Sequence, residues 1–213
     1  MKTIYQAQNS YPEKLNKIYA PPSKLFVWGD EAILNKPSIA IIGCRQASEY
    51  GRRIAFKFAY ELSKKGIIII SGLARGIDTY AHLGAVKAQK KTVAVLGSGF
   101  NHIYPEENIK LCKEIIKYGG VIITEYEKET KPLKMNFPIR NRIISGLSNG
   151  VLVVEAKQRS GTLITVDYAL EQGKDVFVIP GNINNANSYG TNELIKQGAI
   201  PVTNIDDILN SIF

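Results

Sequence analysis

The sequence has 213 residues, 45% of them apolar, and carries 27 Lys and Arg against 19 Asp and Glu, a formal net charge of +8. The length allows one large domain or two small ones, the apolar share is that of a packed globular core, and the charge favours an anionic partner over plain solubility. No apolar run approaches membrane length, no apolar signal region follows Met1, and Cys44 and Cys112 lack metal-ligand spacing. The expectation is a soluble cytoplasmic protein with two free buried thiols, no membrane segment and no metal.

Residues 1–37 read as an N-terminal extension that packs on the core, punctuated by Pro12, Pro21, Pro22 and Pro37. Within it Leu25-Phe-Val-Trp28 reads as a brief edge strand. Residues 38–213 then alternate with a regular beat. Strand-like runs are Ile39–Ile42, Ile67–Ile70, Val93–Leu96, Val121–Thr124, Val151–Val154, Val176–Ile179 and a proline-containing run, Ile200–Thr203. They are continuous and β-branched, the pattern of strands buried on both faces. Helical patterns lie between them over 50–64, 78–89, 105–118, 138–148, 162–172 and 191–197. Gly66, Gly119, Gly120, Gly150, Gly173 and Gly198 stand where C′ glycines are expected. The reading is α/β: an extended Rossmann-like, doubly wound, mostly parallel sheet with helices on both faces.

In such a sheet ligands bind beyond the carboxyl ends of the strands. The loops there are Gly43-Cys-Arg-Gln-Ala-Ser48, Ser71-Gly-Leu-Ala-Arg-Gly-Ile-Asp78, Gly97-Ser-Gly99, Glu155-Ala-Lys-Gln-Arg-Ser-Gly-Thr162 and Pro180-Gly-Asn182. Gly with Ser or Thr at a helix start presents backbone N–H groups and a positive dipole to anions. The same residues also serve tight turns and N-caps. Arg45 and Arg75 suit bidentate phosphate contacts, with salt bridges to Asp78 or Glu155 as the structural alternative. The segment Phe137-Pro-Ile-Arg-Asn-Arg-Ile-Ile-Ser-Gly-Leu-Ser148 packs an aromatic, a proline and two arginines into six residues. Phe137, before a proline, is expected to be extended and to stack a base from outside, or else to tuck into the core.

Other chemistries are disfavoured. The first loop lacks G-x-G-x-x-G, Ser71 stands where a ribose-binding acid is needed, and no Walker motif is present, so no cofactor is expected. Gly146-Leu-Ser-Asn-Gly150 runs from helix into strand, the reverse of a nucleophile elbow. His82 and His102 are far apart and support no metal site. His82 reads as packing or a cap, and His102 as a loop residue within reach of a ligand. Asp78 reads as a partner of a helix N-terminus. Glu125 and Glu155 read as acceptors for loop amides or a ribose. No catalytic residue is assigned.

In order, these motifs resemble the DNA processing protein A family (DprA, also called Smf). The resembling pieces include Ile41-Ile-Gly-Cys-Arg45, Ser71–Asp78, Ala81-His-Leu-Gly84, Ile103-Tyr-Pro105, Phe137–Ser148, Ser160-Gly-Thr-Leu-Ile-Thr165 and Val176–Gly181. The resemblance covers about residues 10–209. It implies a non-enzymatic protein that binds and protects incoming single-stranded DNA in natural transformation, loads the RecA recombinase onto it, and forms a homodimer. By motif, Arg45 beside Gly43 would bind phosphate. Lys134 and Phe137 would lie on the DNA surface, with Arg140 and Arg142 supporting it. Ser160, Gly161 and Thr162 would line the pocket from the opposite loop, with Ser71, Gly72 and Arg75 as neighbours. The dimer contact is expected in the last 20 residues, where Val202, Ile205, Ile208, Leu209 and Ile212 serve equally well as core. Longer relatives often carry an N-terminal helical domain and a C-terminal winged-helix-like domain, and neither is expected here. The alternative is a nucleotide-binding enzyme similar to the cytokinin-activating phosphoribohydrolases, although their glycine pair and glutamate are missing from Ala156–Thr165.

Overall fold

The structure, a computed structural model, describes residues 1–212. The β-branched runs form strands at Ser38–Gly43 (β3), Ile68–Ser71 (β4), Thr92–Val95 (β5), Val121–Thr124 (β6), Gly150–Glu155 (β7), Asp175–Val178 (β8) and Ile200–Pro201 (β9). Two more strands come from the extension, Lys2–Tyr5 (β1) and Lys24–Gly29 (β2). All nine join one sheet in the order β1-β2-β6-β5-β4-β3-β7-β8-β9. Pairs β1–β2 and β2–β6 are antiparallel, and the rest are parallel.

The helices are Glu13–Asn16 (α1), Glu49–Lys64 (α2), Ile77–Lys87 (α3), Ile109–Lys117 (α4), Asn136–Leu147 (α5), Gly161–Glu171 (α6), Tyr189–Lys196 (α7) and Asp206–Ile212 (α8). They cover both faces, because successive strand residues point to opposite sides. Val93, Val95, Ile123 and Val151 pack with Leu15, Ile143, Val166 and Leu194, from α1, α5, α6 and α7. Ile39, Ile41, Ile69 and Leu152 pack on the other side with Phe58, Ala81 and Ile208, from α2, α3 and α8. Ala94 and Ile122 share that side with Leu111 and Cys112 of α4. Both cysteines are free and buried, and burial pushes the Cys112 thiol up to about 12. No helix among the described residues is long and apolar enough to cross a membrane.

Three expectations change, and one open alternative closes. The Leu25–Trp28 run is not an edge strand. Leu25 and Val27 face the core, and β1 closes the sheet beyond them, so the extension supplies two strands rather than a cover. Gly150 is no C′ residue but the first of β7, where a Cβ would come 3.0 Å from the Phe177 ring. Of the other glycines in this set, Gly66, Gly119, Gly173 and Gly198 have the positive φ expected of them, and Gly120 does not. Val202 and Ile208 are fully buried in this chain's own core, so neither is available as a dimer contact.

The chain runs outward from β3 through β4 and β5 to β6, then returns to the other side of β3 for β7, β8 and β9. The order therefore reverses at β3–β7, the switch point where open α/β sheets place their ligand site. A register shift lies there too, with Ile42 paired to Val153 but Gly43 to Glu155. Such bulges re-aim the residues that follow them.

Candidate nucleic-acid interface

A cleft of about 910 Å³ opens at this switch point. Arg45 enters it from the β3–α2 loop and Arg75 from the β4–α3 loop. Lys134, Phe137 and Arg140 come from the start of α5 and the turn before it, and Lys157 and Arg159 from the β7–α6 loop. Six cations thus line the cleft, and Asp78 is the only carboxylate among the described residues that does. Ser160 caps α6 by accepting from Thr162 N at 3.2 Å. A Cβ at Gly161 would meet nothing within 4 Å, so the end of α6 opens onto the cleft.

Phe137 forms the apolar part of the wall. It is not extended, as a pre-proline residue is expected to be, but sits in the first turn of α5. Pro138 fits there because its missing N–H would have no helical acceptor anyway. The ring is half-buried against Gly97, where a Cβ would stand 2.9 Å from Cδ1. The Arg45 Cζ lies 5.3 Å from the ring centroid and the Arg140 Cζ 5.8 Å, and Tyr104 meets the ring edge-on. Cations this near an aromatic face are attracted by its quadrupole. Arg45 is exposed and makes no ion pair among the described residues, so its guanidinium is open to an anion.

Beneath the ring, Arg140 is 3% exposed. Its Nη1 donates to the Gly72 carbonyl at 2.8 Å and to the Val95 carbonyl, and its Nε to Asn141 at 3.3 Å. Burial pulls its pKa down to about 10, so it stays charged at neutral pH. Asp78 is 7% exposed and accepts from the amides of Gly72 and Ala74. Burial pushes its carboxyl up to about 6, against the pull of Arg140 and the two amides. The two side chains converge on Gly72, where a Cβ would lie 2.6 Å from Arg140 Nη2 and 2.8 Å from Asp78 Oδ2. Only glycine fits between them.

Of the residues expected at the site, Gly43, Arg45, Arg75, Lys134, Phe137, Arg140, Ser160, Gly161 and Thr162 line the cleft. Three do not. Ser71 is fully buried and donates to the Ile41 carbonyl at 2.7 Å, tying β4 to β3. Gly72 makes room for the ends of the Arg140 and Asp78 side chains. Arg142 turns away from the cleft into a bidentate pair with Glu125, at 2.6 and 2.7 Å, and also donates to the Ala20 carbonyl at 3.0 Å. Arg75 lines the cleft, yet its ion pair is with Glu107 rather than Asp78 or Glu155.

The other acids and histidines are also placed. Glu155 is 2% exposed and accepts from Ser48, the α2 N-cap, and from Asn187 at 3.3 Å. His82 is packing, as one reading had it: fully buried, with Nδ1 2.9 Å from Thr92 Oγ1, and burial pulls it down to about 3. His102 lies outside the cleft, 3.7 Å from Glu129. Sequence reasoning passed over Tyr104, Lys157 and Arg159 as site residues. For the last two the signal was present, as both flank Gln158 in a loop already marked for its Ser-Gly-Thr.

The fold and cleft define a Rossmann-like α/β protein with an aromatic plate set among cations at its switch point. A profile described as DNA recombination-mediator protein A matches residues 2–213, and the chain belongs to that family. It is 43% identical over 213 residues to the DNA processing protein DprA of Bacillus subtilis, covering 100% of this chain and 71% of that protein. It is 46% identical over 202 residues to Protein Smf of Escherichia coli, covering 95% of this chain and 54% of that one. Among solved structures it is similar to DNA processing protein A from Streptococcus pneumoniae, with a TM-score of 0.94, 41% identity and coverage of 100% of this chain and 74% of that one. It is also similar to the protein from Helicobacter pylori, solved for its single-stranded DNA binding mode. That comparison gives a TM-score of 0.88 and 34% identity over 99% of this chain and 94% of that one. A molybdenum cofactor binding protein from Rippkaea orientalis, at 19% identity and a TM-score of 0.57, shares the fold.

Proposed function

We propose that the protein binds single-stranded DNA in the switch-point cleft, protects it, and loads the RecA recombinase onto it in natural transformation, acting as a homodimer in the cytoplasm. The observation that carries this reading is the Phe137 ring, half-buried between Arg45 and Arg140 in a cleft with three further exposed cations, Lys134, Lys157 and Arg159. An unpaired base stacks on an aromatic face, and the flanking phosphates need cations within reach. A paired base offers no free face, so the arrangement favours a single strand. The Helicobacter pylori relative binds single-stranded DNA, which supports the same substrate here.

The phosphate in the cleft goes to Arg45, Lys134 and the open end of α6, and the base to Phe137. Arg140 is a positioning residue, holding Phe137 from below through its bonds to Gly72 and Val95. RecA loading, the dimer and the link to transformation rest on the family resemblance.

Fluorescence anisotropy of labelled oligo-dT and a matched duplex, across a salt series, tests the reading. Tight, salt-sensitive, single-strand-selective binding is expected. Arg45→Ala should flatten the log–log salt slope by about 0.7, one phosphate contact on a single strand. Binding indifferent to Arg45, or equal for duplex, would overturn it. Release of free base from nucleoside monophosphates would instead favour the enzyme alternative. The rate of RecA filament formation on the same oligonucleotide, with and without the protein, tests loading, and sedimentation tests the dimer.

A further inference from the structure

At one end of the cleft Arg45, Ala74, Arg75, Tyr104 and Phe137 surround a small hollow of about 10 Å³. Tyr104 is 36% exposed there. It meets Phe137 at 5.8 Å between centroids and 62° between planes, so the two rings cannot sandwich one base and each offers a face of its own. The Arg75 Cζ lies 5.6 Å from the Tyr104 centroid, and its Nη1 donates to the Tyr104 hydroxyl at 3.2 Å. A guanidinium beside an aromatic ring repeats the pairing of Arg45 with Phe137.

Arg75 differs from Arg45 in one respect. Its Nε and Nη2 donate to the two oxygens of Glu107, each at 2.9 Å. That parallel, two-pronged geometry is the one in which a guanidinium grips a phosphate. Both side chains are half exposed, at 50% and 56%, so the pair is held in water and exchanges readily for another anion.

We propose that Tyr104 and Arg75 form a second nucleotide subsite for the same single strand, and that Glu107 fills the phosphate position until DNA displaces it. The base next to the one on Phe137 lies against Tyr104, and its phosphate takes the place of the Glu107 carboxylate on Arg75. Glu107 keeps Arg75 oriented beside the ring in the free protein. It also sets a threshold that a single phosphate passes less easily than a strand already anchored at Phe137. The inference rests on single-strand binding at Phe137.

The test compares Glu107→Gln with Glu106→Gln by oligo-dT anisotropy over a salt series. Glu106 is exposed, adjacent and makes no ion pair among the described residues, so its variant makes the same charge change without freeing Arg75. Glu107→Gln should bind several-fold more tightly, with a salt slope steeper by about 0.7, as Arg75 gains a phosphate contact. Glu106→Gln should leave the slope unchanged. In an Arg75→Gln background the gain from Glu107→Gln should vanish. Tyr104→Leu should weaken binding roughly tenfold, the loss of one stacked base, with melting temperature checked alongside. If Glu107→Gln and Glu106→Gln behave alike, the subsite is refuted while the Phe137 site stands. If the wild-type protein binds no single strand, both readings fall together.

Discussion

Glu125→Gln leaves the Arg142 guanidinium without its charged partner while changing almost no volume. In the native protein the two groups lie 2.6 and 2.7 Å apart at both prongs, with side chains 11% and 16% exposed. Removing one partner of a buried pair costs about 3–5 kcal/mol, mostly the penalty of a stranded charge. Here Arg142 retains the Ala20 carbonyl at 3.0 Å and the Ile139 carbonyl at 2.9 Å, and some solvent reaches it, so the loss falls somewhat below that range, at about 2–3 kcal/mol. For a chain of this size that lowers the melting temperature by roughly 5–10 °C. Urea unfolding followed by circular dichroism reads the loss as a lower midpoint with an unchanged slope. The same protein should bind oligo-dT with the wild-type salt slope, because Arg142 does not line the cleft. Arg45→Ala should do the reverse, keeping its melting temperature and losing affinity. A Glu125→Gln protein that melts with the wild type would refute the anchoring role. A flattened salt slope in that variant would return Arg142 to the interface.

Phe137→Ala should lose about 1–3 kcal/mol of single-strand affinity at every salt concentration, the value of one stacked base, with its salt slope intact; equal binding would remove Phe137 as the base plate. Gly72→Ala should destabilise by about 1–3 kcal/mol, since its Cβ would press on the buried ends of Arg140 and Asp78; a wild-type urea midpoint would contradict that. Acid stability should be flat between about pH 4 and 6, because two buried groups oppose each other. His82 falls from 6.5 to about 3 on folding, so the unfolded chain takes up a proton first and stability drops as pH falls below 6.5. Asp78 rises from 3.8 to about 6, so the folded chain takes up a proton first and stability grows as pH falls from 6 towards 4. Asp78→Asn removes the second effect and should expose a fall of up to about 1.4 kcal/mol per pH unit in the difference from wild type; parallel pH profiles would argue against these assignments.

Much of the fold was legible because its central strands are buried on both faces. Ile39–Ile42 and Val151–Val154 need no alternation to be recognised, and each of the expected runs lies within one to two residues of an observed strand. β1 was not legible. Lys2-Thr-Ile-Tyr5 buries a single residue, Ile4, and is a strand only because β2 lies beside it, 20 residues further on. Phe137 illustrates the other kind of miss. The rule that a residue before proline is extended holds for an isolated dipeptide. The first turn of α5 overrides it by placing Pro138 where no N–H is needed and Phe137 against Gly97.

The arginines carry the same lesson into the site. Arg45, Arg75, Arg140 and Arg142 look equivalent in sequence, four guanidinium groups near strand ends in a basic chain. What separates them is the number of partners each finds within the protein. Arg142 has a full carboxylate and two further carbonyls, and is structural. Arg140 has backbone carbonyls and a neighbouring carboxylate, and stays charged below the ring. Arg75 has an exchangeable carboxylate in water, and Arg45, among the described residues, only the face of Phe137. Affinity for an outside anion should rise along that series, because each internal partner is one the ligand must replace. The deciding partners lie far off along the chain: Glu125 is 17 residues and Ala20 122 from Arg142, Gly72 is 68 and Val95 45 from Arg140, and Glu107 is 32 from Arg75. No local motif encodes them, and only the closed sheet decides which arginine is left free.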